Sequence, residues 1–475
     1  MADGHGLVFN PGEHVEGYTN FSWIILSTVP YLFNLDAIVY ARVISIISAA
    51  LAIMLVGIMS NILSKGLRGA AFTASILFAN LPFVMGEAAM GLETLFFVAL
   101  VLAALSRYVL EHENSEERGY GSGLFLAFGA LTRPEAIGIA LILVVFDLLK
   151  LRKSTDDLML KKQVKARWIC FAIPVLSHMA FRWFYYGDYV PNTFHAKVGG
   201  GINALSRGMY ALKQLIMDII PLIIALSIGM VASRKARKLR DSFAVFVLSA
   251  VMLFYTVYVM YIGGDFRPTN RYYILPVALL VVITGSILPL LLQSVKNKKY
   301  YVAYVPLLLV LSFSCHYSFR NIRNYSLRRR HLIPIHIAAA EWLSSEFPAD
   351  TWIATGNVGV IPYQSQLCTI DMHGLCDRHI AERSIPGMGE GIPGHEKGDG
   401  LYILSRHPEI ILFMYSRFSD HPLSTSEIEA DLFGISEVEL WLNPYFHDNY
   451  TLVSIFLERF YFNFYTKNDW QILPD

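Results

Sequence analysis

The sequence predicts a polytopic α-helical membrane protein of about ten spans, followed by a C-terminal α/β soluble domain. Three observations carry that prediction. The 475 residues are 54% hydrophobic and only 16% charged, against about 25% charged for an ordinary soluble domain. The apolar excess lies in long blocks between residues 20 and 320, the pattern of repeated membrane crossings. Residues 325–475 hold 10 Lys/Arg against 20 Asp/Glu, a net of −10, which leaves +11 for the first 324. No run of like charges resembles a nucleic-acid arm. A cytosolic enzyme is excluded on these grounds.

The apolar blocks place spans at 38–62, 68–84, 90–110, 121–133, 136–150, 168–184, 214–232, 242–263, 272–293 and 301–319. Lys and Arg in short loops set the orientation. Lys150, Arg152, Lys153, Lys161, Lys162, Lys165 and Arg167 mark one cytoplasmic loop, and the basic runs within 233–240 and 294–299 mark two more. Consistent alternation then requires 121–150 to be two short helices. Their break is Arg133-Pro134-Glu135 on the outer side, where Pro134 removes a backbone donor and disfavours helix at Arg133. The outer segments are 1–37, 85–89, 185–213, 264–271 and everything from 320. Ten crossings put both ends of the chain outside, and the polar start carries no leading span. The expectation is therefore an upstream segment that adds one.

Before the apolar run 21–34, which reads as an interfacial helix, stands the stretch Gly4-His5-Gly6-Leu7-Val8-Phe9-Asn10-Pro11-Gly12-Glu13-His14-Val15-Glu16-Gly17-Tyr18-Thr19-Asn20. Asn10-Pro11-Gly12 carries turn chemistry. His5, His14, Glu13 and Glu16 offer metal-ligand atoms, although their spacing matches no zinc pattern. Further outer motifs are Gly91-Leu92-Glu93, Arg133-Pro134-Glu135, Val190–Lys197 and Gly263–Arg271. A single charge at membrane depth reads first as snorkelling or an ion pair. Five such stretches on one face point to function. In the tail, Ile337–Glu346 reads as helix, and Thr351–Thr355 and Ile410–Met414 read as strands. Cys368 and Cys376 stand near enough in sequence to pair in an oxidising compartment, or to remain two thiols.

Together these stretches, with Asn357–Tyr363 and Ile370-Asp371-Met372-His373-Gly374-Leu375 in the tail, resemble the GT-C glycosyltransferases. Within that class they resemble the arabinofuranosyltransferase B-like enzymes, which use polyprenyl-phosphate sugars. The resemblance runs from residue 4 to about 375. It implies a transmembrane glycosyltransferase domain over 1–324, with outer loop and interfacial helix in 1–37, and an extracytoplasmic α/β domain over 325–475. It further implies a multi-pass protein of the cytoplasmic membrane, with a lipid-linked donor and a glycan or lipid acceptor of the cell envelope. The family carries an Asp-Asp pair just upstream of the Gly4–Asn20 stretch, a place this sequence does not reach.

When a polyprenyl phosphate loses its sugar, a bare phosphate develops negative charge at the interface. Arg133, Lys197, Arg267 and Arg271 are the candidate cations for it. A carboxylate takes the proton of the attacking hydroxyl, and a single displacement inverts the anomeric centre. Glu13, Glu16, Glu93 and Asp265 are the outer acids within this sequence. His5, Asn10, Tyr18, Asn192 and His195 are the candidate contacts to sugar or acceptor. These residues identify no cofactor, although a divalent cation is compatible with the acids. The rival reading, a transporter or flippase of lipid-linked sugars, predicts inverted repeats and charges at mid-depth. The sequence shows no such repeat, and its charges gather at span ends. A third reading, a non-catalytic homologue, follows from the Asp pair lying outside this sequence.

Overall fold

The computed structural model describes residues 4–113, 119–232, 242–265, 270–293 and 316–468. These fold as two compact units. The span expected at 301–319 falls almost wholly outside the described residues, as do the basic runs at 233–240 and 294–299.

The larger unit takes Thr19–Trp183 and Leu205–Arg323. Its helices are α1 (Phe21–Leu32), α2 (Ala37–Leu63), α3 (Ala70–Ala79), α4 (Pro82–Ala88), α5 (Thr94–Glu113), α6 (Tyr120–Thr132) and α7 (Ala136–Lys153), followed by most of α8 (Leu158–Tyr186) and α10 (Gly201–Ala232), then α11 (Phe243–Tyr261) and α12 (Ile274–Gln293). Among the described residues, six helices are long and apolar enough to cross a membrane, and a seventh span is admitted if α3 and α4 count as one. That pair is bent by 69°. Pro82 starts α4, and the preceding Leu81 is extended at φ −71°, ψ 122°, as the residue before a proline prefers. Many apolar side chains point outward, among them Val43, Ile46, Leu141, Ile173 and Leu253, as lipid-facing surfaces do. The chain is a multi-pass helical membrane protein.

Helix α2 starts on Asp36, whose carboxylate accepts from Val39 N at 2.8 Å. Small residues let three helices approach closely. A Cβ on Gly57 of α2 would lie 2.5 Å from Ser75 Oγ of α3, and one on Gly285 of α12 would lie 2.6 Å from Ala74 Cβ. Ser60 and Ser286 bond across α2 and α12 at 3.1 Å, the kind of polar contact that supports packing where no hydrophobic gradient acts.

The loop expected at 150–167 is much shorter than its charge pattern suggests, because α8 begins at Leu158. Arg167 is consequently not a loop charge. It lies inside α8, bonded to Asp147 at 2.7 Å, to Glu111 at 3.1 Å and to Ser122 Oγ at 2.9 Å. Trp168 Nε1 and Tyr108 OH also donate to Asp147. Four helices are thereby tied through one buried guanidinium.

The second unit joins Asn324–Asp475 to Met1–Tyr18 and Phe184–Ala204. It contains α9 (Asn192–Lys197), the C-terminal part of α13 (His316–Glu346), and then β1 (Trp352–Thr355), α14 (Val360–Ser365), β2 (Cys368–Asp371), α15 (Arg378–Glu382), α16 (Gly400–Ser405), β3 (Ile410–Leu412), β4 (Phe418–Ser419), α17 (Thr425–Ala430), α18 (Gly434–Trp441), α19 (Pro444–Asn449), β5 (Tyr450–Leu457) and β6 (Phe460–Lys467). The sheet order is β2-β1-β3-β6-β4, with β5 also on β6. Strands β1, β2 and β3 are parallel, and β6 runs antiparallel to its three neighbours. Both faces are covered. Ile353, Ile410 and Leu412 pack on Ala339, Ala340 and Leu343 of α13, whereas Ala354, Ile411 and Ile370 face Ile380, Ile403 and Phe446. Burial on both sides suits short apolar parallel strands. Cys368 and Cys376 are free thiols, the latter buried.

Candidate functional site

In the membrane unit, charges gather where helices end. Glu93 stands just before α5, and its carbonyl accepts from Phe97 N. Gly91 reaches that position at φ +71°, and a Cβ there would lie 3.3 Å from Arg42 N on α2, so glycine is required twice over. Arg133 ends α6 in the extended conformation, φ −149°, ψ 122°, as Pro134 dictates. Asp265 follows the positive-φ pair Gly263-Gly264, and Arg271 opens the 3-10 turn Arg271–Tyr273 before α12.

These side chains form one cluster. Arg133 pairs with Glu93 at 2.7 Å and Glu135 at 3.2 Å, and its side chain is only 7% exposed. Glu93 also accepts from Asn20 Nδ2 at 3.2 Å, and Tyr255 OH donates to Glu135 at 3.1 Å. Arg271 pairs with Asp265 at 2.5 Å. The Tyr272 ring carries both guanidiniums, with Arg133 at 4.9 Å and Arg271 at 4.8 Å from its centroid. Arg133 Nε is buried with no hydrogen-bond partner. Three carboxylates against two guanidiniums leave this described cluster one negative charge. Arg267, expected as a further cation, lies outside the described residues.

Of the acids and cations singled out in the sequence, the structure thus brings together Glu93, Asp265, Arg133 and Arg271. Carboxylates hold both terminal nitrogens of Arg133, one of the four candidate phosphate cations. Tyr255, Tyr272 and Asn20 are partners that the sequence reading missed. A tyrosine inside an apolar span is itself a signal, because its hydroxyl must find a partner when buried.

The remaining candidates belong to the second unit, where most have structural partners. The Asn10 side chain donates to Thr369 O at 2.8 Å and accepts from Thr369 N at 2.9 Å, acting as a strand partner on the edge of β2. Glu13 bonds Asn10 and Arg406. Glu16 is buried, and its carbonyl accepts from Asn192 N. Tyr18 OH meets Tyr186 OH at 3.0 Å. The Asn192 amide donates to the carbonyls of Gly374, Leu375 and Asp377 at 2.8, 3.0 and 3.2 Å. His195 pairs with Asp188 at 2.9 Å. His5 and Lys197 are exposed. The metal set of His5, His14, Glu13 and Glu16 is not among the clusters of ligand atoms formed by the described residues.

The Asp371–Asp377 turn follows β2. Burial pushes the Asp371 carboxyl up to about 6, although His373 N and Cys376 N both donate to it. Burial, with His395 beside it, pushes the His373 imidazole down to about 4. Its folded value thus lies below the unfolded one, so its contribution is present above pH 6.5 and is lost as pH falls towards 4. The stability of His373→Gln relative to wild type should therefore improve by roughly 1.4 kcal/mol per pH unit across that window. Thermal or denaturant unfolding of both proteins at pH 6.5 and 5 checks it, and a pH-independent difference would show that this imidazole does not stay neutral.

Among the described residues, six long apolar helices with a broken pair, charges collected at helix ends and a half-parallel α/β unit describe a polytopic helical membrane protein with a further α/β unit. The chain is similar to ArnT from Cupriavidus metallidurans, solved with undecaprenyl phosphate bound, at a TM-score of 0.52 and 12% identity over 74% of this chain and 76% of that one. Against the apo state of ArnT the TM-score is 0.48 at 11% identity, over 74% of this chain and 75% of that one. At this identity the similarity is one of fold. A family model described as "Domain of unknown function (DUF8728)" matches residues 320–473. No curated protein matches the sequence.

Proposed function

We propose that this protein is a membrane glycosyltransferase, moving a sugar from a polyprenyl-phosphate donor to an envelope glycan or lipid with inversion. The observation that carries the reading is the Glu93–Arg133–Tyr272–Arg271–Asp265 cluster, buried at Glu93 and Arg133 and half-buried at the other three, built from the ends of different helices in a GT-C-like bundle. Intramembrane charge is costly unless it has a task. Undecaprenyl phosphate bound to the fold neighbour ArnT supports a donor of that chemistry here.

In this reading Arg271, with a single ion pair, meets the donor phosphate. Arg133, fixed by two carboxylates, sets the position of Glu93 and adds field behind Arg271. The acceptor oxygen bonds to the anomeric carbon, the anomeric C–O bond breaks, and its electron pair leaves with the phosphate. Asp265 takes the hydroxyl proton. The cytoplasmic membrane and an extracytoplasmic soluble unit belong to the same proposal, since a lipid-linked donor suits a face without nucleotide sugars.

The test is transfer from radiolabelled polyprenyl-phosphate pentoses and hexoses by purified protein in liposomes. Label moving to an acceptor, with polyprenyl phosphate released in equal amount, is the expected result. Label crossing the bilayer while still lipid-linked would establish the flippase reading instead.

A further inference from the structure

We propose that Asp188, His195 and Glu382, all in the unit built on Asn324–Asp475, form a divalent metal site that takes zinc. One ligand atom from each lies within 4.8 Å of the others. Asp188 and His195 already meet, Oδ2 to Nε2, at 2.9 Å. Two carboxylates and an imidazole are borderline-to-hard donors, which suit Zn²⁺ or Mn²⁺ better than a soft-metal site. With metal–ligand bonds of about 2.0–2.2 Å, ligand atoms in a tetrahedral site stand about 3.4 Å apart. Closure therefore asks Asp188 Oδ2 and His195 Nε2 to part by about 0.5 Å, and Glu382, whose side chain is 54% exposed and 4.0 Å from Arg378 Nε, to turn inward.

The frame that presents these ligands is rigid. The Asn192 amide at the start of α9 fastens onto three carbonyls just before α15. Ala196 of α9 and Ile380 and Ala381 of α15 are buried. His195 and Glu382 therefore project from two helices locked at a fixed spacing. Asp188 is held separately, since Val190 N donates to its Oδ1 at 3.1 Å and leaves Oδ2 towards the imidazole. Three protein ligands leave a fourth position for water or an external oxygen ligand.

The site is independent of the transferase reading, and its test needs no sugar substrate. Full-length protein in detergent is titrated with Zn²⁺ against a chromophoric chelator, alongside His195→Gln, Glu382→Gln and Asp188→Asn. Wild type should bind one tight equivalent, and each variant should weaken it roughly 10- to 100-fold. Weak binding by the other histidines should be common to all four proteins. Glu382→Gln changes an exposed side chain and should melt as wild type does, so its loss of affinity cannot be ascribed to misfolding. Absence of a tight equivalent in wild type, or unchanged affinity in both Glu382→Gln and His195→Gln, would overturn the site. The Asp188–His195 contact would then be an ion pair only.

Discussion

Arg271→Ala is expected to lower sugar transfer on the order of 10²-fold at matched incorporation. Among the described residues Arg271 pairs with Asp265 and stacks on Tyr272, so its removal leaves the Asp265 carboxylate to be resolvated. The loss comes from the donor phosphate, whose charge develops in the transition state and is best met by a fixed cation in a dry site. Arg271→Lys should restore part of the rate, because the charge returns without the bidentate fork. The measurement is initial velocity in liposomes at matched incorporation, with kcat and KM separated. A wild-type rate for the Ala variant would remove Arg271 from the mechanism. Arg133→Ala is a poorer probe, since it strands Glu93 and Glu135 together.

The largest stability effect is expected at Arg167. Its guanidinium is almost wholly buried against Glu111, Asp147 and Ser122. Removing one partner of a buried ion pair costs about 3–5 kcal/mol, because the other charge remains in a poor medium. Arg167→Met leaves two carboxylates behind and should abolish most monodisperse protein on size exclusion. The triple change Glu111→Gln, Asp147→Asn, Arg167→Met removes the three buried charges, leaving only the part-exposed Arg107 beside residue 111, and should recover much of it. That contrast distinguishes charge imbalance from lost packing. Equal recovery of wild type and Arg167→Met would show that water reaches the cluster.

Asn10 offers a milder case. Its amide closes part of the β2 edge through Thr369 N and O. Asn10→Ala exposes both groups and should destabilise the second unit by about 1–3 kcal/mol, seen as faster amide exchange at Thr369 than in the wild type.

The sequence by itself determined the class of protein, because hydropathy sums over neighbouring residues and needs no partner. The break at Arg133-Pro134-Glu135 was equally local, since a proline constrains the residue before it whatever surrounds the helix. The strands at Trp352–Thr355 and Ile410–Leu412 were legible from short apolar runs. Charge counting in loops worked less well. Arg167 was counted as a loop cation, yet α8 starts nine residues earlier and buries it. Glu111 and Asp147, two acids inside otherwise apolar helices, were the signal for it. What only the tertiary structure decided is which charges meet. Glu93 and Arg133 are forty residues apart, and Asn10 and Thr369 are 359 apart. Pairing at such separations depends on how helices and strands close on one another, and no window of sequence carries that. Within the larger unit that closure gathered Glu93, Asp265, Arg133 and Arg271 into one electrostatic cluster, and within the second it made fasteners of Asn10 and Asn192.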